Sequence, residues 1–133
     1  MKKKILGITL ILGIVSTIGV SAATGTDRTW SVSLPHNNGN AYFALGNKET
    51  NETKGNIKAT SLPKQGINAW INTGSERSPI KITDIASVTT TNVVYDLRYQ
   101  SNYSSGTVVF LGVENKESTS LFNGKAAGTV NYK

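Results

Sequence analysis

Residues 93–99 read Val-Val-Tyr-Asp-Leu-Arg-Tyr, and residues 107–113 read Thr-Val-Val-Phe-Leu-Gly-Val. In the first stretch Val93, Tyr95, Leu97 and Tyr99 alternate with Val94, Asp96 and Arg98. This period of two marks a strand with one buried face. The second stretch is the most continuous apolar run outside the N-terminus. It predicts a central strand covered on both faces. Working outward, Trp30, Val32 and Leu34 alternate with Ser31 and Ser33 and stop at Pro35. A short apolar strand follows at 41–45. Ile57, Ala59 and Ser61 share one face of another, closed by Pro63. Gly66 opens a strand with Ile67, Ala69 and Ile71 on one face and Trp70 on the other. Ile80 and Ile82 begin a further one, and 126–132 closes the chain. The segments between them carry turn chemistry: His36 to Asn40, 46–56 as an exposed polar loop, 72–79 as a loop, and Asn123-Gly124.

No stretch sustains apolar spacing at i, i+3, i+4 and i+7. Residues 24–133 hold 14 Thr, 11 Ser and 13 Asn, residue types that favour strands and turns over helices. Seven to nine short strands with turns between them predict a single all-β domain, an antiparallel β-sandwich, with a small barrel as the alternative. The pairing order is not readable from the pattern.

The N-terminus is of another kind. Lys2, Lys3 and Lys4 precede an almost wholly apolar segment at 5–20, and Ser21, Ala22 and Ala23 follow. This is the n-region, h-region and small-residue site of a secretory signal peptide, with cleavage after Ala22 or Ala23. The apolar run falls short of the roughly 20 residues a spanning helix needs. The sequence therefore predicts a signal peptide at 1–23, a mature domain at 24–133, and a secreted, extracellular product with no membrane span after cleavage. The mature part carries 11 Lys+Arg against 8 Asp+Glu, spread singly along the chain. A nucleic-acid binder would gather its bases into a stripe, so none is expected as a partner.

The search for chemistry is mostly negative. The chain has no Cys and one His, His36, placed in an Asn/Gly turn. There is no Gly-x-Ser-x-Gly elbow to present a nucleophile, and no ligand cluster for a transition metal or an EF-hand. The carboxylate pairs Glu49/Glu52 and Glu114/Glu117 sit in loops and read as surface charge. Asp96 and Arg98 share a strand face and predict a cross-strand ion pair or, alternatively, a ligand clamp. No enzyme activity, metal or cofactor is expected. The aromatic residues carry the remaining signal. Trp30, Tyr95 and Tyr99 share faces with aliphatic residues and are expected in the core. Trp70 and Tyr103 stand among Asn68, Asn72, Asn102 and Ser104, and are the candidate ligand-binding residues. For Trp70 the competing expectation is that it fills a second packed layer.

The stretch 99–115, ending in Glu114-Asn115, followed by a glycine-led strand from Gly124 to Val130, resembles the C-terminal half of an uncharacterised family of small secreted proteins of Gram-positive bacteria with a β-rich domain. The likeness covers about a third of the mature chain. A fainter one, confined to Ser101-Asn-Tyr103 and the small secreted format, is to the lactococcin 972-type bacteriocins. Both imply export and a compact β fold, and the first implies no known activity. Two functional expectations follow. One is a non-enzymatic binding or interaction module whose partner is a cell-wall polymer or another secreted or surface protein. The other is a bacteriocin-like antimicrobial protein.

Overall fold

The computed structural model describes residues 25–35, 39–117 and 124–133. The expected signal peptide at 1–23, the turn at His36 and the segment Leu121-Phe122-Asn123 lie outside the described residues. The described chain is all-β. Its strands are β1 Asp27–Leu34, β2 Ala41–Asn47, β3 Lys54–Ser61, β4 Ile67–Ser75, β5 Ser78–Lys81, β6 Ala86–Val88, β7 Val94–Arg98, β8 Val108–Asn115 and β9 Gly124–Asn131. They form two antiparallel sheets, ordered β1-β9-β3-β7 and β2-β8-β4-β5, with β6 also pairing with β4. Among the described residues no helix is long and apolar enough to cross a membrane.

The alternation in the sequence builds the core directly. Trp30 and Leu34 of β1, Ile57 and Ala59 of β3 and Leu97 of β7 face inward from the first sheet. Ile67, Ala69 and Ile71 of β4 and Val109, Leu111 and Val113 of β8 meet them from the second. At the side where β1 and β2 approach, Trp30 and Phe43 close the gap with ring centroids 5.8 Å apart. On the far side the chain itself joins the sheets. β5 and β6 lie end to end along β4, and between them Ile82 donates to the Ile71 carbonyl at 2.9 Å. The buried Thr83 hydroxyl accepts the Ile71 N–H at 2.9 Å. Thr83 also bridges to Tyr99, and Asp84 N–H donates to the Arg98 carbonyl at 3.0 Å. One short segment thus belongs to the edges of both layers.

β8 is central, between β2 and β4, and Phe110 is as fully buried as Leu111 although it faces the other way. Burial is incomplete at Val108, which is exposed, and at Glu114, which is half-buried. Several other expectations are corrected. Segment 46–56 is not an exposed loop. β2 continues to Asn47, β3 begins at Lys54, and the Lys48 side chain between them is buried at 1 % exposure. Segment 72–79 is not a loop either, because β4 runs to Ser75 and turns at Glu76-Arg77 into β5. Val93 and Ile80 are exposed, since the alternation there outruns the layer that would cover them. The cross-strand ion pair expected on the face of Asp96 and Arg98 is present: Asp96 pairs with Lys54 of β3 at 2.7 Å.

The edge strand β2 carries an irregularity. Its register with β8 shifts between Phe43 and Gly46, and Ala44 adopts φ 57°. A bulge on an edge strand discourages pairing with a foreign strand. It is held by the buried Tyr132, whose hydroxyl donates to the Ala44 carbonyl at 2.7 Å.

Candidate functional site

The solvent side of the second sheet is laid out by its register. Tyr42, Gly112 and Trp70 stand side by side across β2, β8 and β4. The next row toward the β4–β5 turn holds Phe110, Asn72 and Lys81. The row on the other side holds Glu114 and Asn68, whose amide donates to the Glu114 carboxylate at 2.9 Å. An aromatic row therefore lies between an acidic row and a row of donors.

Trp70 points away from Ile67, Ala69 and Ile71, as alternation requires, but it is not an exposed platform: only 5 % of it meets solvent. The reason lies on the neighbouring strand. Gly112 has no side chain, and the indole lies over that gap. A Cβ on Gly112 would come within 2.6 Å of the indole Cε2 and Nε1 and 2.7 Å of Asn72 Nδ2. Tyr42 stands edge-on to Trp70 and to Phe110, with centroids 6.4 and 5.9 Å apart. The indole N–H donates to Asn72 Oδ1 at 2.9 Å. Trp70 thus fills a second layer one residue thick, without another sheet above it. Around this row is a depression of about 280 Å³, lined in part by Asn40, Tyr42, Trp70, Asn72, Lys81 and Glu114. Its size is at the small end of ligand sites, roughly 300–1,000 Å³.

Tyr103 lies elsewhere. It is half-buried, packed on Tyr99 with centroids 6.1 Å apart, and lines a polar depression of about 300 Å³ with residues of the 51–53 and 101–104 loops. The structure does not bring Trp70 and Tyr103 into one site. Against Tyr99, the ring on which Tyr103 packs, lies the buried Lys48. Its ammonium donates to the Thr50 and Glu52 carbonyls, each at 2.6 Å, and sits 4.7 Å from the Tyr99 ring centroid. Burial lowers its pKa, and Glu52 partly opposes the shift. This cation orders the β2–β3 loop and is sealed from solvent, which makes it a structural group. Glu49 is engaged as well: it accepts the Thr26 N–H at 2.7 Å and lies 3.6 Å from Arg28 Nη2. Among the described residues no group of three or more His, Cys, Asp or Glu is placed to hold a metal ion.

Sequence reasoning missed Tyr42, Asn72 and Lys81 as site residues. Tyr42 stood inside a five-residue apolar run whose faces are ambiguous until its partner is known. Asn72 reads from the sequence as part of a loop. The one signal available was Gly112, a glycine inside an apolar strand, which marks a close approach by a neighbour. Gly112→Ala is expected to lose about 1–3 kcal/mol from overpacking, with a shifted Trp emission. Urea melts and fluorescence check this, and a midpoint equal to wild type would mean that the indole does not rest on Gly112.

Comparison with protein-family models, with curated proteins and with solved structures finds no match for this chain. The functional reading therefore stands on the residues themselves.

Proposed function

We propose that this protein is a secreted, non-enzymatic β-sandwich binding module that holds a polar polymer of the cell surface on the outer face of its second sheet. The observation that carries the reading is the depression on that face, where a tyrosine and a tryptophan lie between hydrogen-bonding groups of opposite character. Aromatic bodies flanked by a few placed polar groups are what an oriented polar ligand needs. Tyr42 and the exposed Lys81 are the contact residues in this reading, and the buried Trp70 and Asn72 are the floor beneath them. Export rests on the basic, apolar and small-residue pattern of residues 1–23. The bacteriocin-like alternative draws on size and likeness, and no side-chain arrangement on this face favours it.

The test uses protein expressed from the full sequence and recovered from the medium, where its mass should lack residues 1–23. It should co-sediment with purified peptidoglycan, wall polysaccharide or intact cells, and Tyr42→Ala should reduce the bound fraction several-fold while the domain stays folded, with a smaller loss of stability than Trp70→Ala. Absence from all three pellets would overturn the reading.

A further inference from the structure

The edges of the two sheets are not protected alike. β2 carries the bulge between Phe43 and Gly46. β5 and β6, which share one edge of β4, are four and three residues long, and β5 contains Pro79, which has no N–H to offer. β7 is covered at one end, where Asp84 donates to the Arg98 carbonyl. Such devices keep a foreign strand from pairing with an open edge. β1 has none of them. It is the outermost strand of its sheet, eight residues long, and it pairs with β9 from Asp27↔Asn131 to Leu34↔Gly124 without a shift. It holds neither Pro nor Lys, and its one arginine, Arg28, is engaged by Glu49 at 3.6 Å.

The hydrogen-bond alternation shows which groups of β1 are unused. Opposed residues in an antiparallel pair alternate between those that exchange both bonds and those that exchange none. Tyr99 N–H donates to the Thr53 carbonyl at 2.9 Å. By alternation Gly55 and Ile57 bond toward β7, while Asn56 and Lys58 bond toward Asn131 and Thr129 of β9. The Asn131 carbonyl oxygen does point at β3, 2.6 Å from where a Cβ on Gly55 would stand. On its other side β9 then bonds through Val130, Gly128 and Ala126 to Arg28, Trp30 and Val32. Thr29, Ser31 and Ser33 are left with N–H and C=O groups directed away from the sheet. All three are exposed, and among the described residues no backbone group bonds to them from that side.

We propose that this edge is an interface with a second copy of the chain, in which β1 pairs antiparallel with the β1 of its partner about a two-fold axis at Ser31. Ser31 then meets the partner's Ser31, and Thr29 meets the partner's Ser33. Three pairs that exchange two bonds each use every free backbone group of these residues. A second copy fits because the edge is its own complement. On the outer face this register opposes only hydroxyls. On the inner face it sets Trp30 against the partner's Val32, an aromatic residue against a β-branched one, which is a favoured cross-strand pair. Arg28 falls opposite the partner's Leu34, so no like charges meet. The contact is isologous and closes on itself. The axis is normal to the sheet, so both copies keep their second sheet on the same side. The two aromatic depressions then face one way, and a polymer held by one is presented to the other, which raises avidity without a new contact. The pairing goes beyond the binding-module reading and stands without it.

The experiment is analytical ultracentrifugation of the protein expressed from its full sequence, over a concentration series, with amide hydrogen exchange alongside. A dimer should grow with concentration, and the amides of Thr29, Ser31 and Ser33 should become protected in step with it. Ser31→Lys leaves the bonds within the monomer untouched and sets two ammonium groups together at the axis, so it should weaken the dimer about tenfold or more. Ser31→Pro removes the free N–H at a place where an edge strand tolerates proline, and should do the same; if it fails to fold, Ser31→Lys decides. Thr60→Lys adds the same charge at an exposed position of β3, away from this edge, and should leave the dimer unchanged. A monomer at every concentration, a dimer that Ser31→Lys leaves intact, or one that Thr60→Lys weakens equally overturns the pairing. Assemblies that grow beyond two copies overturn the closed two-fold arrangement. A dimer that retains no wall material or cells sinks the binding-module reading alone, and a monomer that binds them sinks this inference alone.

Discussion

Trp70→Ala is expected to lower the stability of the folded domain by about 3–5 kcal/mol, the usual range for truncating a buried tryptophan. Three losses combine. The indole is 95 % removed from solvent, so its transfer term is nearly complete. Its place above Gly112 becomes a cavity that no neighbouring side chain is positioned to fill, because the glycine below has none. Asn72, already with an unpaired Nδ2, loses the partner of its Oδ1 as well. A domain of this kind has roughly 5–15 kcal/mol in total, so the variant should melt far below wild type in urea. An unchanged midpoint would show that the indole is a dispensable surface group, and with it the account of Gly112 as a seat for the ring would fall. Tyr42 is the useful contrast. It stands at the margin of the same row and is only partly covered, so truncating it tests ligand contact with far less effect on folding.

The contrast between these two residues shows where the sequence stops being informative. Alternation at 67–71 correctly turns Trp70 away from the core, because a strand allows only two directions. Whether an outward residue is wet depends on what stands beside it on the next strand. That is a matter of register, which local pattern does not specify. Gly112 is forty-two positions from Trp70 in the chain and adjacent to it in the sheet. The same gap hid the pairing of Asn72 with Lys81. It also explains Lys48: a lysine among Asn, Glu and Thr reads as solvated loop charge, yet its ammonium is taken up by two carbonyls and the face of Tyr99. The layered fold was legible because it follows from composition and period alone. The candidate site was not, because each of its features comes from a neighbour across strands.

Stability is expected to fall steeply above pH 10. Tyr99 and Tyr132 set the falling limb. Burial holds both phenols well above their ordinary value of 10, with Arg28 pulling Tyr132 partly back and Tyr99 pushing it further up. Below pH 10 both the folded and the unfolded chain keep these protons, and the tyrosine contribution is fully present. Above pH 10 the unfolded chain releases them while the folded one retains them. Stability then drops with pH by about 1.4 kcal/mol per unit for each retained proton. Two groups act opposite to this on the approach. Tyr95 accepts hydrogen bonds from Thr89 and then Thr90, which lower its pKa to about 8. Its folded form ionises first, so stability rises between pH 8 and 10. Lys48, with its pKa lowered by burial, sheds its proton earlier in the folded chain and adds to the same rise. Tyr99→Phe isolates the effect. The Tyr99 hydroxyl is buried with no hydrogen-bond partner, so its removal should leave stability at pH 7 equal or higher and reduce the slope above pH 10 by about one proton. Tyr95→Phe should remove the phenolate absorbance that appears near pH 8. Urea melts from pH 7 to 11.5, with absorbance at 295 nm alongside, measure both. A flat profile above pH 10, or an unchanged slope in Tyr99→Phe, would mean that water reaches these phenols and that the interior of the sandwich is open where Tyr99 and Tyr132 meet.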